Sequence, residues 1–150
     1  MTQGSEVEIL LVEDNPNDAE IALRALKKSK LTNTVVHVCD GEEALDFIYA
    51  RGKFSGNAGK KLPKIVLLDL KLPKIGGLEV LKIVKSDPAT KAIPVVVLTS
   101  SKEEKDMIES YQLGVNSYLV KPVDFEKFVD AIKDFGMYWL LLNQYPGGQI

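Results

Sequence analysis

The sequence predicts one α/β domain built on a five-stranded, doubly wound parallel sheet of strand order 2-1-3-4-5. Three observations carry this. Five short β-rich runs alternate with stretches of helical periodicity along the 150 residues. The central runs are continuously apolar rather than alternating, as in strands covered on both faces. Each run also stops at a polar residue followed by helix-starting or turn residues, so the carboxyl ends of the strands form one polar edge.

The elements follow in order. Residues 7–12 form the first strand and lead into Glu13-Asp14. Asn15-Pro16 then supplies a helix cap and a proline at the first helical position, and Ala19, Ala22, Leu23 and Leu26 recur at helical spacing. The β-branched stretch 34–39 is the second strand, with Cys39 expected as buried filler. Asp40 caps a second helix carrying Ala44, Leu45, Ile48 and Tyr49. Residues 51–63, rich in glycine and lysine, read as a loop longer than is usual between such units. Ile65-Val66-Leu67-Leu68 is the third strand and ends at Asp69; Leu78, Leu81 and Val84 mark the helix that follows, which stops before Asp87-Pro88. The fourth strand spans 93–98, and Ser101-Lys102-Glu103-Glu104 is read as a capping box opening a helix with Met107, Ile108 and Tyr111 that stops near Gly114. Residues 117–120 form the fifth strand. A last helix is expected from Asp124 through Phe125, Phe128, Val129, Ile132 and Phe135. The domain is expected over 7–143, with a disordered tail at 1–6 and a frayed tail at 144–150.

Bulk properties exclude several classes. Apolar residues make up 45% of the chain and the formal net charge is −2, so nothing draws it broadly to nucleic acid or to an anionic membrane surface. One cysteine and one histidine rule out a closed Cys/His zinc site and an intramolecular disulfide. No secretory signal precedes residue 7, and the longest apolar run, 137–142, is too short to span a bilayer. A cytoplasmic location is expected.

Under the predicted strand order Glu13, Asp14, Asp69 and Thr99 converge at the polar edge, with Lys121 beside them. Each alone has an ordinary explanation as a cap, a turn or a solvated charge. Together at the same ends of four strands, they form a pattern that those explanations do not cover. Crowded carboxylates must take up a proton or a cation. An all-oxygen donor set with room for water suits Mg²⁺ or Mn²⁺. With a carboxylate nucleophile, a lysine point charge and a hydroxyl donor, the set has the parts of a phosphoryl-transfer site.

Four motifs carry a family resemblance: Leu10-Leu11-Val12-Glu13-Asp14-Asn15; Leu67-Leu68-Asp69-Leu70-Lys71-Leu72-Pro73 with Gly76-Gly77; Val97-Leu98-Thr99-Ser100; and Tyr118-Leu119-Val120-Lys121-Pro122. In this order and spacing they resemble the receiver domain of two-component response regulators, a flavodoxin-like fold, over residues 7 to about 135. The resemblance implies that Asp69 is the phosphoacceptor. Asp14 and Asp69 would ligate Mg²⁺ directly, joined by the backbone carbonyl of Lys71, while Glu13 would act through metal-bound water. Thr99 would be the switch hydroxyl, Lys121 the pocket lysine and Lys121-Pro122 a cis bond. Tyr118, on its own a half-buried ring, would be the switch aromatic. The phosphodonor would be a sensor histidine kinase or a small acyl phosphate.

About fifteen residues follow Phe135, leaving no length for an output domain, so a stand-alone receiver signalling by protein contacts is expected. The long loop and the aromatic C-terminal stretch resemble phytochrome-associated stand-alone receivers, implying a phytochrome as kinase. Met137-Tyr138-Trp139-Leu140-Leu141-Leu142 is apolar on every side of a helix. It is read as a homodimer contact involving the C-terminal helix and switch face, with kinase docking or packing on its own sheet as the other readings. Rivals fit less well. An aspartate-nucleophile phosphatase needs a second acid where Lys71 stands. A nucleotide-binding fold needs a glycine-rich phosphate loop where Glu13-Asp14-Asn15-Pro16 stands. A receiver that had lost phosphorylation would lack one of the acids, the threonine or the lysine. The domain is thus expected to be a signalling module rather than an enzyme, limited to self-phosphorylation and autodephosphorylation.

Overall fold

The computed structural model describes residues 9–28, 34–57 and 62–122, together with 126, 127 and 130. The expectations for the tails at 1–6 and 144–150 and for the apolar segment 137–142 lie outside the described residues. Of the last predicted helix, only Glu126, Lys127 and Asp130 are described; all three are helical and exposed.

Five parallel strands form one sheet in the order β2-β1-β3-β4-β5, as the sequence predicts. They are β1 (Ile9–Val12), β2 (Val35–Val38), β3 (Ile65–Leu68), β4 (Val95–Thr99) and β5 (Ser117–Val120). The connecting helices are α1 (Pro16–Lys28), α2 (Gly41–Ile48), α3 (Gly77–Ser86) and α4 (Glu104–Gln112). β1, β3 and β4 are buried at every position, which their unbroken apolar runs require. Alternation along each strand divides the core in two. Leu10, Val12, Val66, Leu68, Val95 and Val97 face α2 and α3, whereas Ile9, Leu11, Ile65, Leu67, Val96 and Leu98 face α1.

Local chemistry sets the ends. Asn15 caps α1, its Oδ1 accepting from the Asp18 N–H at 3.0 Å. Asp40 caps α2, accepting from the Glu43 N–H at 2.7 Å. Gly114, with φ +103°, ends α4 in a conformation that favours glycine.

The structure corrects three sequence expectations. Cys39 is exposed, because β2 is an edge strand that stops at Val38 and residue 39 already belongs to the turn into α2. Within 51–63, read as a loop, Gly52–Asn57 form a 3₁₀ segment that seats Phe54 edge-on against Phe47, with centroids 5.1 Å apart. Ser101 is not the N-cap of the fourth helix. α4 begins at Glu104 with Glu103 as its N-cap, whose own side chain makes no capping hydrogen bond. Ser101 acts from outside the helix, its Oγ accepting from the Glu103 N–H at 3.3 Å and donating to Asp106 Oδ2 at 2.6 Å.

The fold also fixes how close α3 comes to the polar edge. The Gly77 N–H donates to Leu70 O at 2.8 Å. A Cβ added at Gly77 would lie 2.2 Å from Asp69 O and 2.5 Å from Leu70 Cα, both backbone atoms that cannot step aside. Gly77→Ala is therefore expected to cost about 2–3 kcal/mol as an overpacking substitution, read as a lower urea midpoint at unchanged slope. Gly56→Ala, with nothing within 4 Å of the new Cβ, serves as control. Equal midpoints for the two variants would contradict the close seating of α3.

Candidate functional site

The site is built by extending the sheet's hydrogen-bond ladder one residue past each strand. The Glu13 N–H donates to Val38 O at 3.0 Å, the Asp69 N–H to Val12 O at 3.1 Å, and the Lys121 N–H to Thr99 O at 2.8 Å. The backbone thus places Glu13, Asp69 and Lys121 on one rim before any side-chain interaction forms. This rim includes the point where the chain crosses from β2 over β1 to β3, which is where open parallel sheets bind ligands.

Glu13, Asp14 and Asp69 each offer a carboxylate oxygen, and these oxygens lie within 4.8 Å of one another. Glu13 and Asp69 are buried; Asp14 is exposed. The Lys121 ammonium reaches into the cluster, donating to Glu13 Oε1 at 2.5 Å and to Asp69 Oδ2 at 3.0 Å. Its remaining N–H goes to Asp18 Oδ2, also at 3.0 Å. The other carboxylate oxygens take backbone donors: Glu13 Oε2 accepts from the Asn15 N–H at 3.1 Å, and Asp69 Oδ1 from the Lys71 N–H at 3.3 Å. The Lys121-Pro122 peptide bond is cis.

Burial alone would push the Lys121 proton off; its hydrogen bonds to Glu13, Asp69 and Asp18 more than reverse that, and its pKa lies well above the ordinary lysine value. Burial also dominates at Glu13 and raises its carboxyl pKa, despite the opposing bonds from Lys121 and the Asn15 amide. One ammonium is thus shared among acids whose charge the fold only partly offsets. An all-oxygen donor set carrying excess negative charge fits a hard divalent cation of the Mg²⁺ or Mn²⁺ kind.

Thr99 is wholly buried at the end of β4, and its Oγ1 accepts from the Ser101 N–H at 3.3 Å. Tyr118 lies one strand over, 8% exposed, with its hydroxyl donating to Ser101 O at 3.1 Å. Burial raises the Tyr118 pKa, so the hydroxyl keeps its proton across the neutral range. Lys71 sits in the exposed turn after Asp69, where its amide already braces that carboxylate.

Two residues of the site were not read from the sequence. Asp18 belongs to the first turn of α1, and its signal was its place just inside a capped helix that rises from the same rim. His37, on the edge strand β2, has Nε2 2.7 Å from Glu13 O. A carbonyl only accepts, so Nε2 carries the proton and pins the turn that presents Glu13. A lone histidine in a β-branched run carries no sequence sign of that contact.

A five-stranded parallel sheet with an acid cluster, a lysine and a buried threonine at its carboxyl edge defines a class of signalling domain. The chain belongs to the response regulator receiver domain family, whose model matches residues 9–133. Among relatives, it is 42% identical over 139 residues to the "Probable methanogenesis regulatory protein FilR2" of Methanothrix harundinacea, covering 93% of this chain and 87% of that one. The bacteriophytochrome response regulator RtBRR superposes with a TM-score of 0.82 at 52% identity, over 94% of this chain and 84% of that one. The Mn(2+)-bound form of response regulator Rcp1 superposes with a TM-score of 0.75 at 40% identity, over 87% and 94% of the two chains. By sequence, Rcp1 of Synechocystis is 39% identical over 132 residues. Among the described residues, no helix is long and apolar enough to cross a membrane.

Removing the ammonium leaves buried carboxylates facing one another, so Lys121→Met is expected to cost about 3 kcal/mol near pH 7 without metal. The folded chain holds this proton more tightly than the unfolded chain. The contribution is therefore full below the ordinary lysine pKa of about 10.4 and is lost as pH rises above it. Denaturant titrations across a pH series should give a wild-type advantage that is flat from about pH 7 to 10 and shrinks beyond. An advantage that grows with alkalinity would contradict the assignment.

Proposed function

We propose that the chain is a phosphoacceptor of a two-component pathway: Asp69 takes a phosphoryl group from a sensor histidine kinase, with Mg²⁺ or Mn²⁺ bound, and the acyl-phosphate form signals through protein contacts. The observation that carries the reading is the Lys121 ammonium bridging Asp69 and Glu13 while Asp14 completes a tight oxygen cluster.

Asp69 is the nucleophile. A carboxylate oxygen forms the new O–P bond as the N–P bond of the phosphohistidine breaks, and the leaving imidazole keeps the electron pair and is protonated. Asp14 and Asp69, with the Lys71 carbonyl, would hold the cation, and Glu13 would assist through a water. The cation supplies charge neutralisation for the incoming phosphoryl oxygens. Lys121 is a fixed point charge aimed at the same oxygens. Thr99 is suited to donate: its Oγ1 accepts from Ser101, which leaves its own O–H free for a phosphoryl oxygen. Asp69 releases the phosphoryl group by hydrolysis, so turnover is limited to self-phosphorylation and autodephosphorylation.

Tyr118 is the switch aromatic. Its ring already lies inward, joined through Ser101 to the backbone that holds Thr99. A phosphoryl group that draws in Thr99 then favours this packing over an outward one. The effect is a population shift worth about 1–3 kcal/mol.

A phytochrome is proposed as the kinase. The support is the 52% identity to a bacteriophytochrome response regulator, against 42% to FilR2. A stand-alone receiver is proposed, supported by relatives that this chain matches over most of their length. A homodimer through the C-terminal helix and the switch face is proposed on the exposed side chains of Met107, Ile108 and Tyr111 along α4.

Incubation with acetyl phosphate and Mg²⁺ is expected to add one phosphoryl group to the intact mass of wild type. Nothing should be added without Mg²⁺ or in Asp69→Asn; a gain surviving that substitution moves the acceptor elsewhere. For the dimer, Trp139→Glu is expected to sediment as a monomer at concentrations where wild type sediments as a dimer. An unchanged dimer content removes that role from the residue.

A further inference from the structure

The Lys121 ammonium has three N–H groups and three carboxylate acceptors. Two of these, on Glu13 and Asp69, belong to the proposed phosphorylation site. The third, on Asp18, is supplied by a helix rather than by a strand end, and neither the family match nor the proposed mechanism gives it a task.

Asp18 is placed with care. Its backbone N–H is held by the Asn15 cap, so the start of α1 fixes where its carboxylate stands. Its side chain is 35% exposed, against 4% for Glu13 and 8% for Asp69. With Glu13 and Lys121 it borders a cleft of about 290 Å³, whose other walls include Ile21, Ala22 and Leu98. A helix-dipole role explains an acid in the first turn, but it does not require a 3.0 Å contact with an ammonium 103 residues away. A lysine reaching across a rim on four flexible methylenes loses rotamer freedom when it is aimed. Acceptors on Glu13 and Asp18, at 2.5 and 3.0 Å, reduce the orientations left to its third N–H.

We propose that Asp18 is a positioning residue of the phosphoryl-transfer reaction. Together with Glu13 it grips the Lys121 ammonium from the α1 side, so that the remaining N–H points at the Asp69 oxygens and at the phosphoryl group arriving there. This rests on the proposed function of Asp69. Asp18 touches neither the reacting carboxylate nor the cation, and acts only through Lys121.

Dependence on Lys121 is what separates this role from helix capping. Without Asp18 the ammonium swings, aligning poorly with the phosphoryl group and competing with the cation for Asp69 and Glu13. In the full chain, Asp18→Ala is expected to slow phosphorylation by acetyl phosphate at saturating Mg²⁺ and to weaken Mg²⁺ binding, read by calorimetric titration. Each effect should be roughly 5–10-fold, as for residues in one hydrogen-bonded network. Asp18→Asn, which keeps an acceptor oxygen, should recover most of the phosphorylation rate. In a Lys121→Ala background, adding Asp18→Ala should change Mg²⁺ affinity by less than about twofold; this arm needs no phosphorylation to be read. A urea titration without metal checks that each variant folds, and the cycle is read on the folded chains. Equal Asp18→Ala effects with and without Lys121 would overturn the proposal and return Asp18 to its helix. A wild-type chain that takes up neither Mg²⁺ nor phosphoryl would instead overturn the reading of Asp69, and this proposal with it.

Discussion

One ammonium group holds the functional edge of this molecule together. Lys121 leaves the end of β5 and is shared by carboxylates from the β1 turn, the β3 turn and the first turn of α1. Without a cation among them, Glu13, Asp14 and Asp69 would be like charges within a few ångströms, and burial already makes Glu13 reluctant to ionise. The arrangement persists because the sheet determines it from below. Backbone bonds from Glu13, Asp69 and Lys121 to the last carbonyls of neighbouring strands fix where the charges stand. The frustrated rim rests on β1, β3 and β4, which are buried throughout. Strain at a functional edge is tolerated when the structure around it leaves no alternative.

What could be read from the sequence divides along the same line. Strand order, the two-sided burial of the central strands, and the meeting of Glu13, Asp14, Asp69 and Lys121 all follow from signals of long range in space but simple form: apolar runs ending in polar residues. What escaped depends on side-chain reach. Asp18 looks like any acid in a first turn until Lys121 is seen lying over it. His37 looks like an edge-strand surface residue until the Glu13 carbonyl is seen beside it. Cys39 departs from the expectation because a propensity for burial says nothing about the residue at which an edge strand stops. Ser101 departs from it because the capping-box pattern is local, whereas this serine answers to its tertiary neighbours.

That serine explains how a change at the rim can reach the surface. Its amide holds the Thr99 hydroxyl, its carbonyl holds the Tyr118 hydroxyl, and its own hydroxyl holds Asp106 in the first turn of α4. Three elements therefore meet on one buried residue, and a movement of any of them shifts the geometry offered to the other two. The exposed apolar side chains Met107, Ile108 and Tyr111 stand on the same helix that Ser101 tethers. A tether of a few hydrogen bonds, each worth about 1 kcal/mol net, suits a population shift. It is strong enough to bias a packing and weak enough to rearrange without unfolding a strand.

The rim is held in two ways. Backbone-to-backbone bonds seat Glu13, Asp69 and Lys121 on the last carbonyls of neighbouring strands. Bonds with a side-chain partner join the turns above them: His37 to the Glu13 carbonyl, Lys121 to three acids, Tyr118 to the Ser101 carbonyl, Ser101 to Asp106. Backbone tethers fix a position, whereas side-chain tethers can exchange partners without unfolding a strand. A rim that crowds carboxylates around one ammonium has both. The backbone sets where Glu13, Asp69 and Lys121 stand, and the side chains decide which groups they meet.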